Sequence, residues 1–279
     1  MTVQSILRQC QTFLSDHQKE SAEIESQVIV GHVLKKSKSD LLRDLGTNLN
    51  SYQESEVFRM MSERASGKPL AYLVGHRDFY GLNFMINQNV LVPRQETELL
   101  IETVLDFVSP DQPELEIVDV GTGSGCVAIA IAVSLENANF IAIDISDKAL
   151  TVARQNCQYH SVGNRISLRQ GNILDVFSGL ADVIVANLPY IKSDEIQCLQ
   201  PEVKHEPRLA LDGEHDGLRF QRELLIQSKS KLNKNGILAM EIDPEQYTLL
   251  EPLAKDIFPT RTVEFIQDTN GHRRVLCVK

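Results

Sequence analysis

The sequence predicts an α/β protein: a mostly parallel, doubly wound sheet with an antiparallel C-terminal hairpin, preceded by a small helical domain. Three observations carry that expectation. From Leu115 onward, short runs rich in β-branched residues alternate with helix-length stretches, as in parallel sheets covered by helices on both faces. The last two apolar runs are joined only by DTNGH, too short for a crossover helix, so they must pair antiparallel. Residues 1–67, by contrast, carry their apolar positions at helical spacing.

Within residues 1–67, Val3, Ile6, Leu7, Cys10, Phe13 and Leu14 mark a first helix, and Ile24, Val28, Val33 and Leu34 a second. Ser51 with Glu54 reads as a capping box ahead of Val57, Met60 and Met61. Such short helices bury little alone, so a bundle ending near Gly67 is expected. Residues 68–95 alternate apolar and polar positions around Gly81, which predicts a β-hairpin linker. The remainder, 96–279, forms the main domain. It opens with a helix carrying Leu99, Leu100, Val104, Leu105 and Val108. Strands follow at LEIVDV, FIAID, ISLRQ, DVIVAN, GILAMEI, TVEFIQ and RRVLCVK. Helices are expected at 125–136, 147–160, 217–232 and 244–256, with Gly163 and Gly236 as helix stops.

Composition narrows the class of function. The 279 residues include 38 acidic and 28 basic side chains, a formal charge of −10, which argues against a general duplex-binding surface. No apolar run approaches the roughly 20 residues that span a bilayer, and MTVQSILRQCQTFL lacks the charged start and apolar core of a signal peptide. The 5 cysteines are odd in number and lack metal-ligand spacing, so neither disulfides nor a metal site is expected. A cytoplasmic monomer with reduced thiols, no membrane association and no direct nucleic-acid binding is the expectation.

The segment Asp119-Val120-Gly121-Thr122-Gly123-Ser124-Gly125 follows the first strand of the main domain and opens a helix. Alternate glycines let the backbone turn tightly and approach a ligand, with helix N–H groups facing it. The next strand ends at Asp144, 19 residues after Gly125, where a carboxylate can accept from ribose hydroxyls. A dinucleotide loop reads G-x-G-x-x-G, whereas this one reads G-x-G-x-G behind an acid. A turn needed only for strand-to-helix geometry is the alternative. Gln170-Gly171-Asn172-Ile173 closes the third strand, either as a contact to a planar base or as a simple turn.

Asn187-Leu188-Pro189-Tyr190 ends the fourth strand, at the carboxyl edge where open α/β sheets bind ligands. An amide nitrogen is a poor nucleophile because its lone pair is delocalised. Two acceptors aimed at its hydrogens, Asn187 Oδ1 and the carbonyl of Leu188, would fix it and increase its electron density. Pro189 confines residue 188 to extended geometry, and the Tyr190 ring can form a wall. Taken alone, the segment also fits a turn after a core strand.

These segments resemble the acidic-x-G-x-G-x-G loop and the N-P-P-Y motif of class I S-adenosylmethionine-dependent methyltransferases, which have a Rossmann-like fold. Leu188 stands in place of a proline. The whole chain resembles the PrmC/HemK family of peptide-chain release factor glutamine methyltransferases. Tyr72 to Leu82, Pro93-Arg94-Gln95-Glu96-Thr97-Glu98, Glu206-Pro207-Arg208-Leu209-Ala210-Leu211, Gly213 to Leu218, Glu241-Ile242-Asp243, and Asp268, Gly271 and Arg273 carry that resemblance. It implies transfer of a methyl group from S-adenosyl-L-methionine to the side-chain amide nitrogen (N5) of the glutamine in the Gly-Gly-Gln motif of class 1 release factors. The other product is S-adenosyl-L-homocysteine, and no metal is needed. It implies cofactor binding by Asp119, Gly121, Thr122, Gly123, Ser124, Gly125, Asp144, Ile145, Asn172, Ile173 and Asn187. Catalysis would fall to Asn187, Leu188, Pro189 and Tyr190, and the helical domain would help dock the release factor. Arg94, Glu96, Glu98 and Arg208 are expected as ion-paired scaffolding.

Three other readings stay open. A related enzyme methylates a glutamine of a large-subunit ribosomal protein. A DNA adenine methyltransferase uses similar N-P-P-Y logic, but the charge and the absence of an inserted recognition region oppose it. A catalytically silent cofactor binder would be consistent with Leu188.

Overall fold

The computed structural model describes residues 1–109 and 114–279. The chain divides into two compact units, Met1–His76 with Gln200–His205, and Arg77–Leu199 with Glu206–Lys279.

The first unit contains α1 (Val3–Asp16), α2 (Ala22–Leu34), α3 (Lys38–Arg43), α4 (Ser51–Ala65) and α5 (Leu70–Val74). Thr2 caps α1, accepting from the Ser5 N–H at 3.2 Å. The cap of α4 is Asn50 with Gln53, not Ser51 with Glu54: Asn50 Oδ1 accepts from Gln53 N and Gln53 Oε1 from Asn50 N. Both pairs fit the box by spacing, but Asn50 holds the extended backbone that a cap requires. Ile6, Leu14, Ile29, Leu41, Val57 and Met60 form the fully buried centre. Ile24, expected inside, is 59% exposed, because α2 instead turns Glu25 and Ser26 inward. Helix α5 occupies the start of the range expected as hairpin linker, and Val74 packs into the same core.

Next in chain order come β1 (His76–Phe79) and β2 (Leu82–Met85), which pair as a two-stranded hairpin. Tyr80 and Gly81 both take positive φ at its turn, 49° and 71°, the geometry of a primed hairpin. Beyond it lie α6 (Glu98–Phe107), β3 (Leu115–Val120), α7 (Cys126–Ser134), β4 (Ala138–Asp144), α8 (Asp147–Tyr159), β5 (Ile166–Gln170) and β6 (Ala181–Ala186). Short helix α9 (Pro201–Lys204) belongs to the first unit. The chain ends with α10 (Arg219–Ser228), β7 (Leu232–Glu241), α11 (Tyr247–Ile257), β8 (Val263–Gln267) and β9 (Arg273–Val278).

These strands form one sheet in the order β5-β4-β3-β6-β7-β9-β8. The first five are parallel, and β9 inserts antiparallel between β7 and β8, as the short DTNGH connection requires. Asn156 on α8 fastens the hairpin, donating to Met85 O and accepting from Met85 N. Expected helix limits needed three corrections. The span 217–232 overruns, because Leu232 already pairs with Ala181 in β7. Gly236 is no helix stop: it lies inside β7, where a Cβ would sit 2.7 Å from the Asp182 carbonyl oxygen. Nor does Gly163 stop α8, which is capped at His160 and followed by Ser161 at φ 59°.

In the first unit, Arg64 is 3% exposed and makes a two-pronged pair with Glu25, both distances 2.7 Å. Glu202 on α9 meets the same guanidinium at 2.7 Å and Lys19 at 2.8 Å. Removing the cation leaves two carboxylates facing each other, one of them buried. Arg64→Ala should lower the stability of the protein by about 3 kcal/mol in denaturant unfolding. A loss within about 0.5 kcal/mol, the range of ordinary surface changes, would show that water replaces the guanidinium at no cost.

Candidate active site

A cleft opens at the carboxyl ends of the parallel strands, where the strand order reverses between β4-β3 and β6. It is lined by the turns after β3, β4, β5 and β6, by Asn89, Val90, Leu91, Pro93, Arg94 and Thr97, and by Pro207, Leu209, Ala210 and Phe220. Asp119, Gly121, Thr122, Gly123, Ser124, Asp144, Ile145, Asn172, Ile173, Asn187, Leu188 and Pro189 all line it. Gly125 and Tyr190 are not among the residues that line it, so the Tyr190 ring is not the wall expected from the sequence.

All three loop glycines take positive φ, 74°, 56° and 81° at Gly121, Gly123 and Gly125. At Gly121 the reason is also spatial, since a Cβ would lie 3.0 Å from Leu188 Cδ2 and 3.4 Å from the Asn187 carbonyl oxygen. The ladder pairs Val120 with Ala186, so the glycine turn and the Asn187 turn begin side by side. Asp119 is buried beneath the loop and accepts from Thr122 Oγ1 at 2.7 Å. Burial pushes its carboxyl up to about 6, against the Thr122 hydrogen bond. The Asp144 carboxylate accepts from Gly123 N and Ser146 N, each at 2.8 Å. Burial raises its pKa while those two N–H groups hold it down.

After β5, Asn172 Nδ2 donates to Glu223 Oε1 at 2.7 Å, so its carboxamide is oriented from α10. Ile173 is buried at φ 50°, a conformation rare for a β-branched residue and costing about 1–3 kcal/mol.

Asn187 Nδ2 donates to Thr97 Oγ1 at 3.0 Å, and the Thr97 hydroxyl donates to Glu241 Oε2 at 2.7 Å. Tyr190 Oη approaches Glu241 Oε1 at 3.4 Å. Burial pushes the Glu241 carboxyl up to about 7, against its hydrogen bonds to Thr97 and Tyr190. Burial, then the nearby Glu241 charge, raises the Tyr190 phenol. Gln221 Nε2 donates to the Pro189 carbonyl and Gln246 Nε2 to that of Tyr190, both at 3.2 Å. Among the described residues none donates to the Leu188 carbonyl. Gly213 lets this turn be gripped closely, because a Cβ there would lie 2.9 Å from the Pro189 carbonyl oxygen.

Thr97, Glu223 and Glu241 were missing from the expected site. Thr97 and Glu241 sit inside segments that the resemblance had singled out, and that was the available signal. The scaffolding expectation for Arg94 and Arg208 takes a definite form. Glu206 is buried, pairs with Arg94 and accepts from Val92 N at 3.1 Å, which joins two distant motif segments. Arg208 pairs with Asp212, and Glu98 accepts from Tyr80 N. Asp243 caps the turn at Pro244–Gln246.

Whether these residues suit a sulfonium nucleoside is a question of shape and donors. A Cβ on Gly123 would meet nothing closer than 4.0 Å, so the loop presents bare backbone to the cleft. Ile145 lines the cleft half-exposed, an apolar face for a flat ring, and Asp144 supplies an anionic acceptor beside it. The residues fit. Among the described residues, no group of three or more His, Cys, Asp or Glu side chains could hold a metal ion. No helix of the described residues is long and apolar enough to cross a membrane.

Leu188 itself invites a substitution. Its side chain is 4% exposed, and its N–H has no acceptor among the described residues. Leu188→Pro therefore sacrifices no hydrogen bond. It loses about one buried carbon, roughly 0.8 kcal/mol, against a gain of about 0.4–1 kcal/mol from a stiffer unfolded chain. We expect near-neutral stability and kcat equal to or above wild type, measured by unfolding and steady-state turnover. A drop of about tenfold, 1.4 kcal/mol in barrier, would mean that the acceptor pair is built differently here.

Residues 5–75 match the PrmC N-terminal domain family, and residues 95–208 match the ribosomal protein L11 methyltransferase (PrmA) family. A release factor glutamine methyltransferase from Moorella thermoacetica is 36% identical over 275 residues, 98% of this chain and 97% of that protein. One from Bacillus anthracis is 33% identical over 282 residues, 99% of this chain and 98% of its own. A solved ribosomal protein L11 methylase from Lactobacillus delbrueckii subsp. bulgaricus shares the fold, with TM-score 0.51 at 23% identity, covering 70% of this chain and 83% of that one. Likeness to those relatives over nearly the full length of both chains makes this protein an S-adenosylmethionine-dependent methyltransferase that belongs to the release factor glutamine methyltransferase family.

Proposed function

We propose that the protein methylates the side-chain amide nitrogen (N5) of the glutamine in the Gly-Gly-Gln motif of class 1 release factors, converting S-adenosyl-L-methionine to S-adenosyl-L-homocysteine. One observation carries the reading. Asn187 has its NH2 end engaged by Thr97, and the adjoining Leu188 carbonyl has no donor among the described residues, so two acceptors are left beside the glycine loop.

The loop Gly121 to Gly125 with Asp119 and Thr122, Asp144 with Ile145, and Asn172 with Ile173 would hold the cofactor. When bound, it supplies an electrophilic methyl group on a sulfonium. Asn187 Oδ1 and the Leu188 carbonyl accept the two N–H groups of the target amide. They fix its plane and raise electron density on nitrogen at the moment of transfer. The Pro189 and Tyr190 carbonyls are occupied by Gln221 and Gln246, which keeps the turn in one geometry. Apolar side chains around the cleft, among them Leu188, Val90 and Phe220, exclude water that would compete for both acceptors. The surplus proton leaves the methylated amide for water. We infer a cytoplasmic setting, in which the 5 free cysteines stay reduced.

The test is mass spectrometry of purified class 1 release factors after incubation with enzyme and cofactor. One added methyl on the Gly-Gly-Gln glutamine, absent when that residue is replaced, is the expected result. The match of residues 95–208 to a ribosomal protein methyltransferase family favours a second reading, with a large-subunit ribosomal protein as substrate. Methylation of ribosomal protein with unmodified release factor would establish it in place of the first.

A further inference from the structure

We propose that Thr97 and Glu241 are positioning residues that decide which end of the Asn187 carboxamide faces the substrate. The proposal rests on the reading above, in which Asn187 Oδ1 accepts from the target amide.

An asparagine side chain has two ends of almost equal shape and opposite function. Only the oxygen end can accept from an NH2 group; the nitrogen end would set donor against donor. Something must therefore choose between them, and the hydrogen-bond chain behind Asn187 does. An ionised carboxylate can only accept, so the single hydrogen of the Thr97 hydroxyl must go to Glu241 Oε2, 2.7 Å away. Thr97 Oγ1 is then left as an acceptor toward Asn187, at 3.0 Å, and only the Nδ2 end of the amide can supply the hydrogen. Oδ1 is thereby turned away from Thr97.

The fold builds this chain from three separate places. Parallel pairing of Ala186 with Met240 brings Glu241 beside Asn187. The turn Gln95–Thr97 ahead of α6 lays Thr97 between them. Thr97 and Glu241 are 3% and 2% exposed, so water cannot readily take either place.

The same chain can run backwards. A protonated Glu241 would donate to Thr97, Thr97 would donate to Oδ1, and the amide would turn its NH2 toward the substrate. The groups facing Glu241 are the Thr97 hydroxyl, the Tyr190 phenol, Arg274 on β9 and Glu96 in the turn before α6. Asp243 and Arg94 act on the Tyr190 side. Burial, with Glu96 assisting, favours the proton, while Arg274 and the two hydrogen bonds favour the ion, which leaves the carboxyl at about 7. Correct orientation is thus present above that pH and lost below it.

The experiment compares kcat, KM and cofactor affinity for wild type, Thr97→Val and Thr97→Ser, with kcat followed between about pH 6 and about pH 8.5 for wild type and Glu241→Gln. Thr97→Val keeps the shape and removes the relay. It should lower kcat about tenfold or more, with KM and calorimetric cofactor affinity within about twofold, and Thr97→Ser should restore most of the loss. Wild-type kcat should fall toward acid pH, and Glu241→Gln should lose that acid limb, because a glutamine cannot titrate. Thr97→Val turning over at the wild-type rate while Asn187→Ala is inactive would overturn the proposal and leave the proposed function standing. Full turnover by Asn187→Ala would instead remove the reading on which the proposal rests. Should Thr97→Val fail to fold, the Glu241→Gln profile decides: an acid limb unchanged from wild type overturns the relay.

Discussion

Asn187→Ala is expected to lower kcat by about two to three orders of magnitude while cofactor affinity changes by less than about threefold. The asymmetry follows from when the hydrogen bond matters. Glutamine's amide hydrogens become more acidic as the methyl group reaches nitrogen, so an acceptor aimed at them strengthens along the reaction and contributes mainly to the barrier. The Leu188 carbonyl remains in the variant, but a single acceptor lets the NH2 group rotate about its remaining bond. Alanine also frees the Thr97 oxygen, now without a donor in a buried place, which adds a local cost of about 1–3 kcal/mol to folding. Stability and turnover must therefore be measured together. A variant that stays folded with kcat within a few-fold of wild type, and only a raised KM, would make Asn187 a binding residue. Asn187→Asp sharpens the point: its carboxylate keeps an acceptor for the substrate but has no hydrogen for Thr97, so it should also be severely impaired.

What the sequence made legible here was local. Asp119 to Gly125 could be read because a loop that must turn and open a helix needs its glycines at fixed short spacing, and the structure places all three at positive φ. The strand runs could be read for a similar reason, since IVDV and VIVA are buried on both faces and nearly uninterrupted. The chain behind Asn187 could not. Thr97 and Glu241 are separated by 144 residues and meet only because β7 lies beside β6 in the sheet. Glu206 and Val92, separated by 114 and both in loops, likewise meet only in the folded chain. Ile24 shows the opposite failure. Helical spacing identified it as core, yet the buried cation Arg64 demands that the adjacent Glu25 face inward, and the helix is rotated accordingly. At α4, two overlapping capping boxes satisfied the same pattern, and backbone geometry, invisible in sequence, selected Asn50. Gly236 looked like a helix stop because glycine serves both that purpose and close strand approach.

Asp144→Ala should weaken cofactor binding by about two orders of magnitude or more, since each charge-assisted hydrogen bond lost is worth roughly 1.5–3 kcal/mol. The side chain has two roles that the measurement must separate. One is to accept from ribose hydroxyls, for which its place at the end of β4 suits it. The other is visible directly: Oδ2 accepts from Gly123 N and Oδ1 from Ser146 N, so the carboxylate ties the glycine turn to the start of α8. Alanine would release both N–H groups and let the turn move even before cofactor arrives. Asparagine would keep one oxygen but set an NH2 group against one of the two donors, so it should resemble alanine more than aspartate. A cofactor analogue lacking the ribose hydroxyls distinguishes the roles. If the hydroxyls bond to Asp144, the analogue binds wild type weakly, and the substitution costs it little further. If Asp144 acts by holding the turn, the substitution weakens cofactor and analogue by the same factor. We expect the first pattern to dominate, with a smaller common loss from the freed turn. Equal calorimetric affinity of wild type and Asp144→Ala for the intact cofactor would remove Asp144 from the site altogether.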